Sequence, residues 1–281
     1  MQVETHLPPT RRHVAAALLG PLPGCARRRG GVFGRADLHV HSHWSDGAQA
    51  PESIVMAAAR RRLDVLAITD HDEIRGALRA RDFAAAHPTL GLEVVVGEEI
   101  STRNGHLIGL WLDEVVPPGL SAAETIARIH AQGGLAVAAH PFHPLRGVDR
   151  GQYSVGRLIP ELALDAIEVV NNAGFFSKLY DAWAALRNVE WMLPVTAGSD
   201  AHHVWYVGSA LTRFEGRSAS DLRRALVAGT TRAQVHWSWS AGKLPRHLTL
   251  QIRAGLRFLR RHRRDACLPR SAIPHLTGRV T

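Results

Sequence analysis

From Ala36 onward the chain alternates short, continuous apolar runs with longer stretches in which apolar residues recur at helical spacing. The runs 65–69, 92–100, 107–111, 135–139, 166–170, 193–197 and 207–211 read as strands, and Asp37-Leu-His-Val-His41 as the first of them. Helices are predicted between these runs, over 52–62 behind Pro51, which suits a first helical position, over 75–86, and over 178–186. Ser121-Ala-Ala-Glu124 is a capping box, in which hydroxyl and carboxylate satisfy free N–H groups at the start of a helix reaching Gln132. Gly133-Gly134 ends that helix, and Ser218 caps a last one over 219–227. Strands too apolar to have a wet face, alternating with helices, predict a parallel sheet covered by helices.

The two ends of the chain differ in character from this middle. Residues 242–281 carry ten Lys and Arg against one acid, and residues 1–35 carry six Arg against one Glu. The intervening stretch is net acidic, although the whole chain has a formal charge of +9. Three parts are expected: a basic leader over 1–34, a barrel domain over 35–240, and a basic tail over 241–281. Arg11-Arg12 before a short apolar patch raises an export signal as an alternative to a disordered leader, but Pro21 and Pro23 break the segment just after that patch. In the tail, Leu248, Ile252, Leu256 and Leu259 stand at helical spacing among arginines. That makes an amphipathic basic helix, suited to nucleic acid, to an anionic surface, or to docking on the domain with a solvated face. Only Cys25 and Cys267 occur, which excludes a disulfide framework and fits a cytoplasmic protein. No run approaches the ~18 apolar residues that span a bilayer.

Almost every predicted strand is followed at once by a His or a carboxylate. Alternation along a strand turns His39 and His41 to the same side, where both imidazoles can face one ion. Asp46 lies in Ser-Asp-Gly, a turn that either swings its carboxylate over the strand end or merely forms an Asx turn. His71 follows the 65–69 run directly, and Asp70 can orient a neighbouring imidazole from outside the ligand set. Glu98 and Glu99 point to opposite sides of their strand, so only one enters the site. His106, His140, Asp200 and His202 complete a set of nitrogen and oxygen donors gathered at strand ends. Active sites assembled from the C-terminal ends of many strands favour a closed barrel over an open sheet, which concentrates ligands at one switch point.

Taken in order, Asp37-Leu-His-Val-His41, Ser45-Asp46-Gly47, Thr69-Asp70-His71, Gly97-Glu98-Glu99-Ile100-Ser101, Gly105-His106, Ala139-His140-Pro141 and Ser199-Asp200-Ala-His202 resemble the PHP (polymerase and histidinol phosphatase) superfamily of metal-dependent phosphoesterases. The resemblance covers roughly residues 36–215 and is closest to small stand-alone nucleotide phosphatases and 5′–3′ exonucleases. It implies a distorted (β/α)7 TIM-like barrel with two or three divalent ions, Mn, Zn or Fe ahead of Mg, at the C-terminal ends of the strands. One ion would sit on His39, His41, Glu99 and Asp200, a second on Asp46, His71 and His202, and a third on Glu99, His106 and His140. The family pattern Gly-x-Glu-Ile-Ser selects Glu99 over Glu98, and Asp37 becomes a supporting residue. All the family's ligand positions are filled, which argues against an inactive relative. Some members carry a large insertion between the His106 and His140 motifs, and that interval is short here.

Such ions, about 3.5–4 Å apart, clamp attacking and leaving oxygens and acidify a water, so no Ser or Cys nucleophile is required. Arg103 and Arg146 are candidate phosphate clamps or solvated loop arginines. His143 and His203 are candidate acid/base groups or exposed loop histidines, while His43 and His130 read as structural. Glu168 and Asn171 either line the substrate pocket or make structural hydrogen bonds. The expected substrate is a phosphorylated small molecule or short oligonucleotide, with no stable protein partner. Two alternatives stand beside it: a histidinol-phosphate phosphatase, and a non-catalytic, metal-stabilised module that binds nucleic acid through its tail.

Overall fold

The structure, a computed structural model, describes residues 32–143, 154–173 and 177–236. Arg146, the leader up to residue 31 and the basic tail, with both cysteines, lie outside the described residues. The described chain runs β1 (Phe33–Asp37), α1 (Pro51–Arg60), β2 (Val65–Ile68), α2 (Arg75–Ala86), β3 (Glu93–Thr102), β4 (Gly105–Leu110), α3 (Ala122–Ala131), β5 (Leu135–Ala138), β6 (Ala166–Asn171), α4 (Ser177–Trp191), β7 (Val195–Gly198), β8 (Ala210–Glu215), α5 (Ala219–Val227) and β9 (Arg232–Val235). None of these helices is long and apolar enough to cross a membrane.

The strands form one sheet in the order β7-β6-β5-β4-β3-β2-β1-β8-β9, curled into a nearly closed barrel. Its seam lies between the edge strand β7 and the β8–β9 hairpin, which pack side by side. Threonine side chains bridge that seam: the Thr212 hydroxyl accepts from Ala197 N at 2.8 Å, and Thr231 donates to Val195 O at 2.7 Å. The TIM-like barrel is therefore present, but not as an all-parallel one. β1–β2–β3 and β5–β6–β7 are parallel, whereas β3–β4–β5 and β1–β8–β9 are antiparallel. For β3 and β4 the reason is connection length. Two residues, Arg103 and Asn104, separate β3 from β4, while a parallel crossover needs a dozen or more.

Burial on both strand faces follows from the continuous apolar runs. In β2, Leu66 and Ile68 belong to the cluster packed with Ile54, Val55 and Ala77 of α1 and α2, and Val65 and Ala67 to one with Phe214 and Leu222. Each such fully buried Ile or Leu contributes on the order of 1.5–3 kcal/mol over leaving it in water. Both capping boxes form, Ser121 with Glu124 on α3 and Ser218 with Asp221 on α5.

Two strand boundaries depart from expectation. β1 ends at Asp37, and beyond it Val40 makes only an isolated parallel bridge to Ala201. β8 starts at Ala210 instead of residue 207, because Gly208 turns the chain at φ 76° and donates its N–H to Asp37 at 2.6 Å. β9, with mostly exposed residues, carries no apolar run to announce it.

Candidate metal centre

Although β1 stops early, its continuation is held as firmly as a strand. Thr69 N donates to Val40 O at 2.8 Å and His41 N to Ala201 O at 3.0 Å, so residues 38–41 are clamped between the ends of β2 and β7. Both histidines thereby face inward, and their rings lie 5.2 Å apart. Gly198 permits this closeness: a Cβ there would fall 2.2 Å from His39 Cβ and 2.7 Å from Glu168 Oε1.

Glu99, on β3, is the hub. Its Oε1 lies 2.8 Å from both His106 Nδ1 and His140 Nε2, and its Oε2 lies 3.1–3.4 Å from His39, His41 and His71. Asp200 Oδ1 stands 3.2 Å from His41 Nε2, and Asp46 Oδ2 stands 2.8 Å from His202 Nε2. Four overlapping groups of close donor atoms can hold a metal: His41, Asp46, His71 and His202; His39, His140 and Asp200; His39, His41 and Glu99; His71, Glu99 and His106. Among the described residues these groups contain the nine expected ligand candidates and no others. They partition them differently from the family's ion-by-ion pattern, with His140 beside His39 and Asp200.

Glu98 points away from the cluster, as strand alternation requires. Its Oε2 accepts from Val116 N at 2.8 Å, and burial pushes its pKa up to about 8.

The donor set suits a divalent cation. It is all imidazole and carboxylate, a mixture that admits several first-row metals. Both ring nitrogens of His41 are buried with no hydrogen-bond partner among the described residues, although Asp46, Glu99 and Asp200 oxygens lie 3.2–3.4 Å away. Buried donors facing carboxylates without bonding them are what a shared cation resolves. Charge in the cluster points the same way. Burial opposes ionisation of Asp46 and Glu99, yet the surrounding imidazoles hold both well below the usual carboxylate range. Burial would lower His39, but Glu168 and Glu99 outweigh it and raise its pKa to about 10, while burial takes His71 down to about 3.

A second layer of carboxylates fixes the first. Asp37 accepts from Ser199 N at 2.9 Å and Ser199 Oγ at 2.6 Å, tying β1 to the turn that presents Asp200. Burial lifts Asp37 to about 6 against these bonds. Asp70, expected to orient an imidazole, instead accepts from Ser42 N, Ser42 Oγ and Ser45 Oγ at 2.6–2.7 Å. It fixes the loop that carries Asp46, because two serine hydroxyls reach it.

Glu168 and Asn171 are supports, and their polar atoms are committed. Glu168 Oε1 lies 3.0 Å from His39 Nδ1, and Oε2 accepts from His140 N at 2.8 Å and from Asn171 Nδ2 at 2.9 Å. Asn171 Nδ2 also reaches Asp200 Oδ2 at 3.1 Å, and its Oδ1 accepts from Ala173 N at 3.2 Å. Both also border a small cavity with His143, Tyr180 and Asp181, so each makes structural hydrogen bonds and lines that cavity.

Arg103 does not reach the centre. Its exposed guanidinium pairs with Glu124 at 3.2 Å, because the α3 capping box places that carboxylate beside it. His143 stays close, its ring 6.3 Å from His140 and 5.2 Å from Tyr180, whereas His203 tilts against Trp205 at 4.0 Å. Of the two histidines read as structural, His130 pairs with Asp165 at 2.8 Å and His43 is exposed. Nothing in the apolar pattern marked Ser42, Ser45 or Ser199, since a tethering hydroxyl is defined only by the carboxylate it meets in space.

Residues 37–148 match a family model described as the PHP domain, and residues 187–231 match one described as PHP-associated. An uncharacterised protein of Methanocaldococcus jannaschii is 39% identical over 148 residues, 49% of this chain and 81% of that one. A 3′,5′-nucleoside bisphosphate phosphatase of Chromobacterium violaceum is 40% identical over 85 residues, 29% of each chain. Among solved structures, a two-domain Bacteroides vulgatus protein described as containing a predicted PHP-like metal-dependent phosphoesterase superposes with a TM-score of 0.61 at 22% identity. That superposition covers 75% of this chain and 70% of the other.

Proposed function

The chain belongs to the PHP family of metal-dependent phosphoesterases, and from that premise we propose that it hydrolyses phosphomonoesters or phosphodiesters of nucleotide-type substrates. The observation that carries this reading is the gathering of nine imidazole and carboxylate donors into one cluster, in which five imidazoles meet Glu99. His39, His41, Glu99 and Asp200 would hold one ion, Asp46, His71 and His202 a second, and Glu99, His106 and His140 a third, with Mn, Zn or Fe as the metal. Bound ions supply positive charge to the phosphoryl oxygens and acidify a water.

The protein's own part is to prepare that centre. Glu168 fixes the ring of His39 through Nδ1, which leaves Nε2 directed at Glu99. Asp70 and Asp37, through Ser42, Ser45 and Ser199, set the positions of Asp46 and Asp200. His143, its ring 6.3 Å from that of His140 and partly open to solvent, would hand a proton to a leaving oxygen. The likeness to the Chromobacterium violaceum bisphosphate phosphatase supports the nucleotide class.

The test is a panel of p-nitrophenyl phosphate, a nucleoside 3′,5′-bisphosphate, a short oligonucleotide and histidinol phosphate, with added Mn²⁺. Turnover of the nucleotide compounds ahead of histidinol phosphate is expected. Metal-replete protein that hydrolyses none of the four sinks the proposal, and full activity in His39→Ala removes the assignment of the centre.

A further inference from the structure

Three arginines stand in one line across the β1–β8–β9 part of the sheet. Arg35 on β1 is paired with Arg213 on β8, and Arg213 with Arg232 on β9. Residues paired directly across antiparallel strands point to the same face. Ala36 and Phe214, the next residues along β1 and β8, are fully buried, so alternation turns the arginines to the opposite, outward face. A strand spacing of about 4.8 Å sets the first and third about 10 Å apart at the backbone. Arg232 is exposed, and the other two are half-buried.

Among the described residues none of the three guanidiniums has a carboxylate partner. Arg35 Nη2 lies 3.0 Å from His236 Nε2, Arg213 Nη2 donates to Phe33 O at 3.3 Å, and the Arg232 guanidinium sits 6.0 Å from the Phe33 ring centre. The acid whose charge reaches Arg213 is Asp64, and it is engaged elsewhere, accepting from Arg217 Nε at 2.7 Å and Arg35 N at 2.9 Å. Glu215, opposite Phe33 on the same face, pairs with none of the three. Burial and the charge of Arg35 lower the pKa of Arg213 against the pull of Asp64, and burial with both arginines lowers that of His236. Like charges directly opposite one another destabilise a sheet, so the row is a local cost to the fold until anions lie along it.

The chain's own ends cannot supply those anions. Residues 242–281, which follow from the His236 end of the row, carry ten Lys and Arg against one acid, and residues 1–35 carry six Arg against one Glu. Both add positive charge, so the ligand comes from outside and offers several anions in line. A phosphate backbone has that form, with regularly spaced charges that guanidinium groups match in bidentate fashion.

We propose that Arg35, Arg213 and Arg232 bind the phosphate backbone of a single nucleic-acid strand on the barrel wall, apart from the donor cluster. None of the three belongs to the groups that can hold a metal, and the surface works without hydrolysis.

The experiment measures binding of the full chain to a short fluorescein-labelled oligothymidylate with phosphorothioate links, which resist hydrolysis, by fluorescence anisotropy across a salt series. Each arginine removed is expected to weaken binding about fivefold at about 0.1 M salt, and to make the slope of log K against log salt shallower by about 0.7. Arg213→Gln/Arg232→Gln is therefore expected to lose about 25-fold, while Arg232→Lys, which keeps the charge, stays close to wild type. No binding by wild type, or wild-type affinity and slope in the double variant, overturns the proposal. Polyglutamate and vesicles of phosphatidylserine with phosphatidylcholine form parallel arms. If either of these loses affinity in the double variant while the oligonucleotide does not, the surface serves an acidic protein or a membrane and the nucleic-acid assignment falls. Should the double variant fail to fold, Arg232→Gln alone decides, since that side chain is exposed: a fivefold loss supports the proposal and an unchanged slope overturns it. The probe is not turned over, so the outcome is independent of the phosphoesterase reading.

Discussion

Glu168 meets three groups at once, His39 Nδ1, His140 N and Asn171 Nδ2. All three are served by two carboxylate oxygens, and a glutamine has only one acceptor oxygen, so Glu168→Gln leaves one side facing an N–H donor with an NH2 group. The variant is expected to keep the fold and to lose about 10–100-fold in metal affinity or rate, as supporting partners of metal-site histidines do. Metal content after dialysis, read beside kcat, checks this. Wild-type metal retention and rate in Glu168→Gln would show that His39 needs no such partner. Most of the ligand candidates were legible because they follow an apolar run, while Asp46 in its turn and His106 ahead of its run needed the company of the others. Glu168 ends one too, yet pocket lining and support look identical in sequence, and only the distance to His39 separates them. Arg103 was misread for the mirror reason: the sequence places it between Glu99 and His106, but its guanidinium meets Glu124 instead.

At the scale of elements, α4 brings a further, half-buried carboxylate beside the centre. Asp181 accepts from Asn171 N at 2.9 Å, and burial, reinforced by the charge on Glu168, pushes its pKa up from an ordinary 3.8 to about 8. The folded protein then holds a proton at Asp181 that the unfolded chain has released. Its contribution to stability is complete below pH 4 and is lost as pH rises through about 8. Asp181→Asn cannot titrate and keeps an acceptor oxygen for Asn171. Its melting temperature is expected to gain on wild type between pH 5 and pH 9. Parallel melting curves across that window would dispose of the idea by contradicting the raised pKa. Helices α1, α2, α3 and α5 were legible from caps and periodicity. The β3–β4 hairpin was not, because two neighbouring apolar runs do not by themselves say that the second turns back on the first. β8 was misplaced because the turn at Gly208 depends on the buried Asp37. His140 and Asp200 both take positive φ, 25° and 49°, a strained backbone for non-glycine residues that no local propensity forecasts.

For the whole molecule, the cluster is the junction where the barrel closes. Its donors come from both flanks of the seam: His39 and His41 after β1, His71 after β2, Glu99 and His106 on β3 and β4, His140 after β5, and Asp200 and His202 after β7. Ions held there bind only the folded chain, and at a hundredfold excess over Kd one site adds about 2.7 kcal/mol. Treatment with a chelator is expected to lower the melting temperature and Mn²⁺ to restore it, in step with activity. An unchanged melting curve after verified metal removal would show that the barrel closes without help from the centre. The tail, residues 242–281, is tested separately by deletion, which should leave hydrolysis of p-nitrophenyl phosphate in place.

By itself the sequence determined the alternation of strands and helices, the nine donor candidates, and that only one of Glu98 and Glu99 enters the site. Those rest on period-two alternation, capping chemistry and residue type, which act within a few residues; the choice of Glu99 rests on the resemblance to the family pattern. Only the tertiary structure decided that β4 and β8 run antiparallel, that Asp70 serves a loop and not an imidazole, and that Glu168 and Asn171 are supports. Each of these depends on which distant segment arrives beside a side chain, and barrel closure sets that meeting.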